Sequence, residues 1–203
     1  MNTYNKVIFV CMGNTCRSPM AATIMKHELE KCGLDHIAVE SRGLVVLFPE
    51  PYNPKAVAVA SKHGMIIPNN HATQIDNRDF GRDTLCLVMN QPMKAKVYNT
   101  FDKAINVYTI GEFSGDLEAD VKDPYGKGVE EYDKCFTQLE GMLGKAAHNI
   151  KKALDDSAEK RKEEKYDSFY HCPHCRDGNR YNYYRVREKR IFPERYEPVR
   201  YRR

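Results

Sequence analysis

Lys6-Val-Ile-Phe-Val-Cys11 is a nearly continuous, β-branched apolar run, the pattern of a strand covered on both faces in a parallel sheet. Gly13 and Asn14 break it. Pro19 then opens a segment with apolar residues at Met20, Ala21, Ile24, Met25 and Leu29, closed by Gly33, which predicts a helix from Pro19 to Cys32. The alternation recurs along the chain. Strands are predicted over Ile37 to Ser41, Thr84 to Asn90 and Asn106 to Ile110, with helices over Pro54 to His63 and Pro92 to Phe101 between them. From Val129 to Leu154 apolar positions follow helical spacing through Tyr132, Phe136, Leu139, Leu143, Ala146 and Ile150, so a long closing helix is expected despite Gly141 and Gly144. The expected fold class is α/β, with a parallel sheet flanked by helices.

Beyond Leu154 the pattern dissolves into a mixed-charge run and then a Tyr- and Arg-rich stretch. The domain organisation predicted is therefore a body over 1–154 and a C-terminal extension over 155–203. Charge follows the same division: the body carries 18 Lys+Arg and 18 Asp+Glu, whereas the extension carries 14 and 10, the whole net excess of +4. A neutral body argues against an electrostatic nucleic-acid footprint on the main domain, and nucleic acid is not an expected partner. The early apolar run is far shorter than the roughly 20 residues a bilayer span requires, so no membrane segment is expected. Seven cysteines, an odd number without framework spacing, suit free thiols in a reducing cytoplasm.

Chemistry is concentrated in Cys11-Met-Gly-Asn-Thr-Cys-Arg17-Ser18-Pro19, between the first strand and the first helix. A loop at the carboxyl end of a parallel strand is where open α/β sheets bind ligands, and a helix N-terminus adds unpaired N–H groups and a favourable dipole for an anion. Gly13 and Asn14 tolerate the left-handed backbone that lets a loop curl its amides inward. In that setting Cys11 is expected to be a thiolate at neutral pH and a nucleophile. Arg17, six positions on, offers a planar two-donor fork to phosphate oxygens, and the Ser18 hydroxyl is a hydrogen-bond donor to the sulfur.

These residues resemble the low-molecular-weight protein tyrosine phosphatases, whose active-site loop is similar to Val10 to Ala21. Asp123-Pro-Tyr-Gly126 is similar to the family's late acid motif, and Ser41-Arg-Gly43, His63-Gly and His71-Ala-Thr-Gln74 to its other landmarks. The resemblance spans Lys6 to Leu154. It implies a four-stranded parallel sheet and a cysteine-dependent protein phosphatase with a phosphocysteine intermediate. Cys11 would be nucleophile, Arg17 the phosphate clamp and Asp123 the general acid and then base. Met12, Gly13, Asn14, Thr15, Cys16 and Ser18 would line the phosphate, Tyr125 the substrate group, and Asn14, Ser18, Ser41 and His71 would hold the loop. Cys16 is also a candidate to trap Cys11 as a disulfide on oxidation.

Departures bear on substrate. The stretch Leu44 to Tyr52 lacks the family's tryptophan, leaving Leu47 or Phe48 as the wall, and Thr15 stands where many tyrosine phosphatases carry a larger aliphatic residue. The bacterial protein arginine phosphatase branch has threonine there. A phosphorylated protein is the expected partner, with phosphotyrosine the first substrate and phosphoarginine the alternative. Arsenate reduction on the same fold would need two shuttle cysteines near the third strand, where only Cys86 lies. In the extension, Cys172 and Cys175 of His171-Cys-Pro-His-Cys175 have the spacing of half a zinc site and are candidate zinc ligands, although no second pair follows; the phosphatase chemistry itself is expected to require no cofactor. Its interleaved Tyr and Arg leave binding of nucleic acid or another partner through the extension as a rival function.

Overall fold

The computed structural model describes residues 4–117 and 119–170. Four strands form one parallel sheet: β1 (Lys6–Cys11), β2 (Ala38–Gly43), β3 (Thr84–Val88) and β4 (Val107–Thr109), in the order β2-β1-β3-β4. Val7 to Val10 and all of β3 are buried, odd and even positions alike, so both faces of the sheet centre are covered. Between strands lie α1 (Arg17–Lys31), α2 (Pro54–Lys62) and α3 (Gln91–Thr100); α4 (Ile110–Ser114) and α5 (Val129–Tyr170) follow. The chain moves from β1 outward to β2 and then crosses back over β1 to β3. That reversal opens a crevice at the carboxyl ends of β1 and β3.

Local chemistry sets the element ends. Asn53 and Asn90 cap α2 and α3 by accepting from Lys55 N and Met93 N, each with proline in the first turn. Helix α1 starts at Arg17, two residues before the proline expected to open it. Proline is tolerated there because first-turn N–H groups have no intrahelical acceptor. β2 runs on to Gly43 through polar residues because it is the sheet edge, where half-exposed Glu40, Ser41 and Arg42 are at no disadvantage. β4 stops at Thr109, short of Ile110, because Thr109 and Glu112 form a reciprocal capping box that starts α4.

Tyr132, Phe136, Leu139, Leu143 and Ile150 of α5 are fully or almost fully buried in the core, as their spacing required. The helix continues past Leu154 to Tyr170, on residues with no apolar period. By compactness the chain divides into residues 1–158 and 159–203. Cys172, Cys175 and the Tyr/Arg-rich stretch lie outside the described residues. Among the described residues no helix is long and apolar enough to cross a membrane, and no three His, Cys, Asp or Glu are grouped to hold a metal.

Candidate active site

β1 delivers Cys11 to the crevice, where the chain turns through residues 12–16 into α1. Asn14 takes the left-handed conformation, φ 57°, and its N–H points back at Cys11 Sγ, 3.3 Å away. Gly13 needs no such freedom: its φ is not left-handed, and an added Cβ would meet no protein atom within 4 Å. The loop thus curls at Asn14 alone. The N-cap of α1 is Cys16, which supplies no side-chain cap, so the first-turn amides keep their donors for an anion.

Asn14 is the hub that fixes this curl. Its side-chain amide is fully buried, and it donates to Ser18 Oγ and Ser41 Oγ, both at 2.9 Å, while its Oδ1 accepts from Thr73 N at 2.8 Å. Every donor of the amide group is used. Ser41 in turn meets Tyr52 OH at 3.3 Å. Ser18 Oγ lies 3.0 Å from Cys11 Sγ and 3.2 Å from Arg42 O. A hydroxyl has one proton, so it can serve the sulfur or the carbonyl, and a sulfur anion would draw it.

Arg17 is buried, its side chain only 5% exposed. It donates through Nη1 to Val121 O at 3.4 Å and through Nη2 to Asp123, whose carboxylate is 48% exposed. The segment carrying Asp123 reaches the crevice because Val121 N bonds Met89 O, at the carboxyl end of β3. Asp123 also accepts from Tyr125 N at 3.1 Å, an Asx-type turn that fixes its side chain, and Tyr125 itself projects into solvent.

Other expectations are corrected. His71 is exposed, and its place beside Asn14 is taken by the backbone of Thr73; His71 contributes through its main chain, which pairs with Pro51 and whose carbonyl accepts from Thr73 Oγ1 at 3.3 Å. The Cys16 side chain is buried against Tyr132 OH (3.4 Å) and Thr15 Oγ1 (3.6 Å), and burial pushes its thiol above the ordinary value. Met12 O and Thr15 O accept from Val45 N and Asn53 N, which ties the residues after β2 and the start of α2 to the loop. Sequence alone did not single out Tyr52 or the Thr73 amide, since main-chain donation leaves no residue-type signal.

Gly43 has a packing reason of its own. A Cβ there would lie 2.6 Å from Val46 Cγ2 and 3.0 Å from both Asn14 N and Gly13 C, against the backbone of the curl. Gly43→Ala is expected to lower kcat/KM for para-nitrophenyl phosphate by about tenfold to a hundredfold through displacement of the loop. Unchanged kinetics in a folded variant would show that the curl does not depend on this close approach.

The model of the low-molecular-weight phosphotyrosine protein phosphatases matches residues 6–156. This chain belongs to that family. The low-molecular-weight protein-tyrosine-phosphatase PtpB of Staphylococcus epidermidis is 30% identical, over 69% of this chain and 95% of the relative. The protein-arginine-phosphatase of Bacillus subtilis is 32% identical, over 72% of this chain and 97% of the relative. Among solved structures, the low-molecular-weight protein tyrosine phosphatase from T. tengcongensis superposes with a TM-score of 0.63 at 37% identity, covering 69% of this chain and 95% of that one. The four-stranded sheet and the cysteine-based protein phosphatase chemistry are thus those of the low-molecular-weight phosphatases. Cys86 stands apart from this chemistry: it is buried in β3 with its thiol pushed up to about 12, unlike the reactive thiolate a shuttle requires.

Proposed function

We propose that the chain hydrolyses phosphotyrosine in phosphorylated proteins through a phosphocysteine formed on Cys11, without a cofactor and in a reducing cytoplasm. The reading rests on one convergence: the Cys11 sulfur receives the Asn14 N–H and meets the Ser18 hydroxyl in a loop closed by buried Arg17, itself paired with Asp123. The Cys11 thiolate attacks phosphorus in line with the departing oxygen. The P–O bond breaks and its electron pair goes to that oxygen, which takes a proton from Asp123. Arg17 and the loop amides hold the charge spread over the equatorial oxygens. In the second step Asp123 takes a proton from water, the water oxygen attacks phosphorus, and the sulfur leaves as a thiolate hydrogen-bonded by Ser18. Inorganic phosphate is released and the resting enzyme restored.

Phosphotyrosine is favoured by exposed aromatic side chains on the segments that adjoin the loop. Tyr125 is 70% exposed on the acid segment, and Phe48 is 70% exposed on the stretch whose start is bonded to the loop. Two aromatic side chains free to pack on a phenyl ring suit an aryl ester. A second reading, phosphoarginine, is favoured by Thr15 and by kinship to the protein-arginine-phosphatase of Bacillus subtilis. Matched peptides carrying phosphotyrosine or phosphoarginine separate them. Higher kcat/KM for phosphotyrosine supports the first reading, whereas a preference for phosphoarginine that Thr15→Ile abolishes establishes the second.

A further inference from the structure

Under the proposed mechanism Arg17 has two obligations. Its Nη2 is bonded to Asp123, yet the same guanidinium is the fork that must grip the phosphate. When both arms turn to phosphate oxygens, the Asp123 carboxylate keeps the Tyr125 N–H of its own turn, a bond within the segment that does not hold the segment to the phosphate loop. Something else must then keep Asp123 aimed at the leaving oxygen.

Upstream of Asp123 the segment is pinned to the crevice by Val121 N, bonded to Met89 O at 3.0 Å. Downstream, Pro124 to Lys127 form a turn closed by Lys127 N to Pro124 O (3.1 Å), with Gly126 at φ 78°. The carbonyl at the end of that turn, Lys127 O, accepts from Lys55 Nζ at 2.5 Å. Lys55 lies in the first turn of α2, beside Asn53. Asn53 Oδ1 caps Lys55 N at 2.9 Å, and Asn53 N bonds Thr15 O in the phosphate loop at 2.8 Å. The same ammonium stands 5.9 Å above the ring of Tyr132, whose hydroxyl reaches Cys16 Sγ. One helix turn is therefore bonded to the phosphate loop by main chain and to the acid segment by a side chain, with Tyr132 closing the circuit behind them.

We propose that Lys55 is a positioning residue for the proton-transfer step: it sets the distance between the segment carrying Asp123 and the loop carrying Cys11. The proposal rests on Asp123 being the general acid. A lysine suits the task because its ammonium bonds a main-chain carbonyl and a ring face at once, without competing for the phosphate.

The test uses the full chain and two substrates that differ in how much they need a proton: phenyl phosphate, with a poor leaving group, and 2,4-dinitrophenyl phosphate, whose phenolate departs unaided. In Lys55→Met, kcat/KM is expected to fall about tenfold for phenyl phosphate and by less than about twofold for the dinitrophenyl ester. Lys55→Arg should restore most of the loss, since it returns a cation that can donate to the same exposed carbonyl and stack on the same ring. Equal losses on both substrates would mark a general structural role and overturn the proposal, as would no loss on either. Asp123→Asn keeps the outcomes apart. If it shows the leaving-group selectivity and Lys55→Met does not, the Lys55 role alone fails; if Asp123→Asn lacks that selectivity, the acid assignment fails first. Adding Lys55→Met to Asp123→Asn should cost nothing further on phenyl phosphate, and an additional tenfold loss would also overturn the proposal.

Discussion

Cys11→Ser is expected to reduce turnover of para-nitrophenyl phosphate by roughly four to six orders of magnitude, the scale seen when a covalent nucleophile is removed. The substitution is nearly isosteric, and the neighbours of the sulfur, Asn14 N and the Ser18 hydroxyl, can bond an oxygen as readily. The curl, held by Asn14 rather than by Cys11, should survive, and inorganic phosphate should still compete for it. What is lost is the more nucleophilic sulfur, in whose place a serine hydroxyl must first give up its proton. The measurement is steady-state kinetics together with phosphate affinity by calorimetry. Retained phosphate affinity with no turnover separates a chemical defect from an unfolded loop. Turnover within tenfold of the parent would remove Cys11 from the mechanism.

Arg17→Lys should have the next largest effect, about a hundredfold to a thousandfold in kcat, comparable to removing an oxyanion donor. The charge is kept, so the loss isolates geometry. A guanidinium presents two parallel donors from a fixed plane, whereas an ammonium is a point charge on a flexible stem. Arg17 is buried, with Nη1 reaching Val121 O and Nη2 reaching Asp123, and a lysine of shorter reach cannot make both contacts. Because Asp123 is half exposed, losing its partner should cost the fold little. A thermal midpoint near the parent's, with kcat reduced and KM raised, is the expected combination. A drop in midpoint with kinetics intact would make Arg17 a structural residue.

How much of the fold is legible in the sequence depends on which force fixes each feature. β1 and the centre of α1 follow from apolar pattern alone, since β1 is buried on both faces and α1 buries the stripe Met20, Ala21, Ile24, Met25 and Leu29. The edge strand β2 hides its end: Glu40 to Arg42 tolerate solvent, so pattern stops before pairing does. α4 escaped because it is five residues long, although Thr109 and Glu112 stand at capping-box spacing and Gly115 takes the left-handed C-cap position. α5 outruns its apolar period on a mixed-charge run, a sequence in which oppositely charged residues three and four apart support helix without an apolar stripe.

The site divides along the same line. Cys11, Asn14, Arg17 and Ser18 were singled out by residue type and spacing, and the fold brings their polar atoms within hydrogen-bonding distance of one another or of Asp123. His71 is not among them. The bond to Asn14 Oδ1 comes from the Thr73 amide, and any residue but proline can supply an amide there. Lys55 was equally silent, since the contact that gives it meaning joins residues 55 and 127 across the fold.

The decisive measurement is rapid acid quench of enzyme mixed with para-nitrophenyl phosphate, followed by mass spectrometry of the peptides. One phosphoryl group on the peptide containing Cys11, lost on longer incubation and absent from Cys11→Ser, is expected. Phosphate on any other residue, or a burst of para-nitrophenol with no phosphopeptide, would contradict attack by that sulfur.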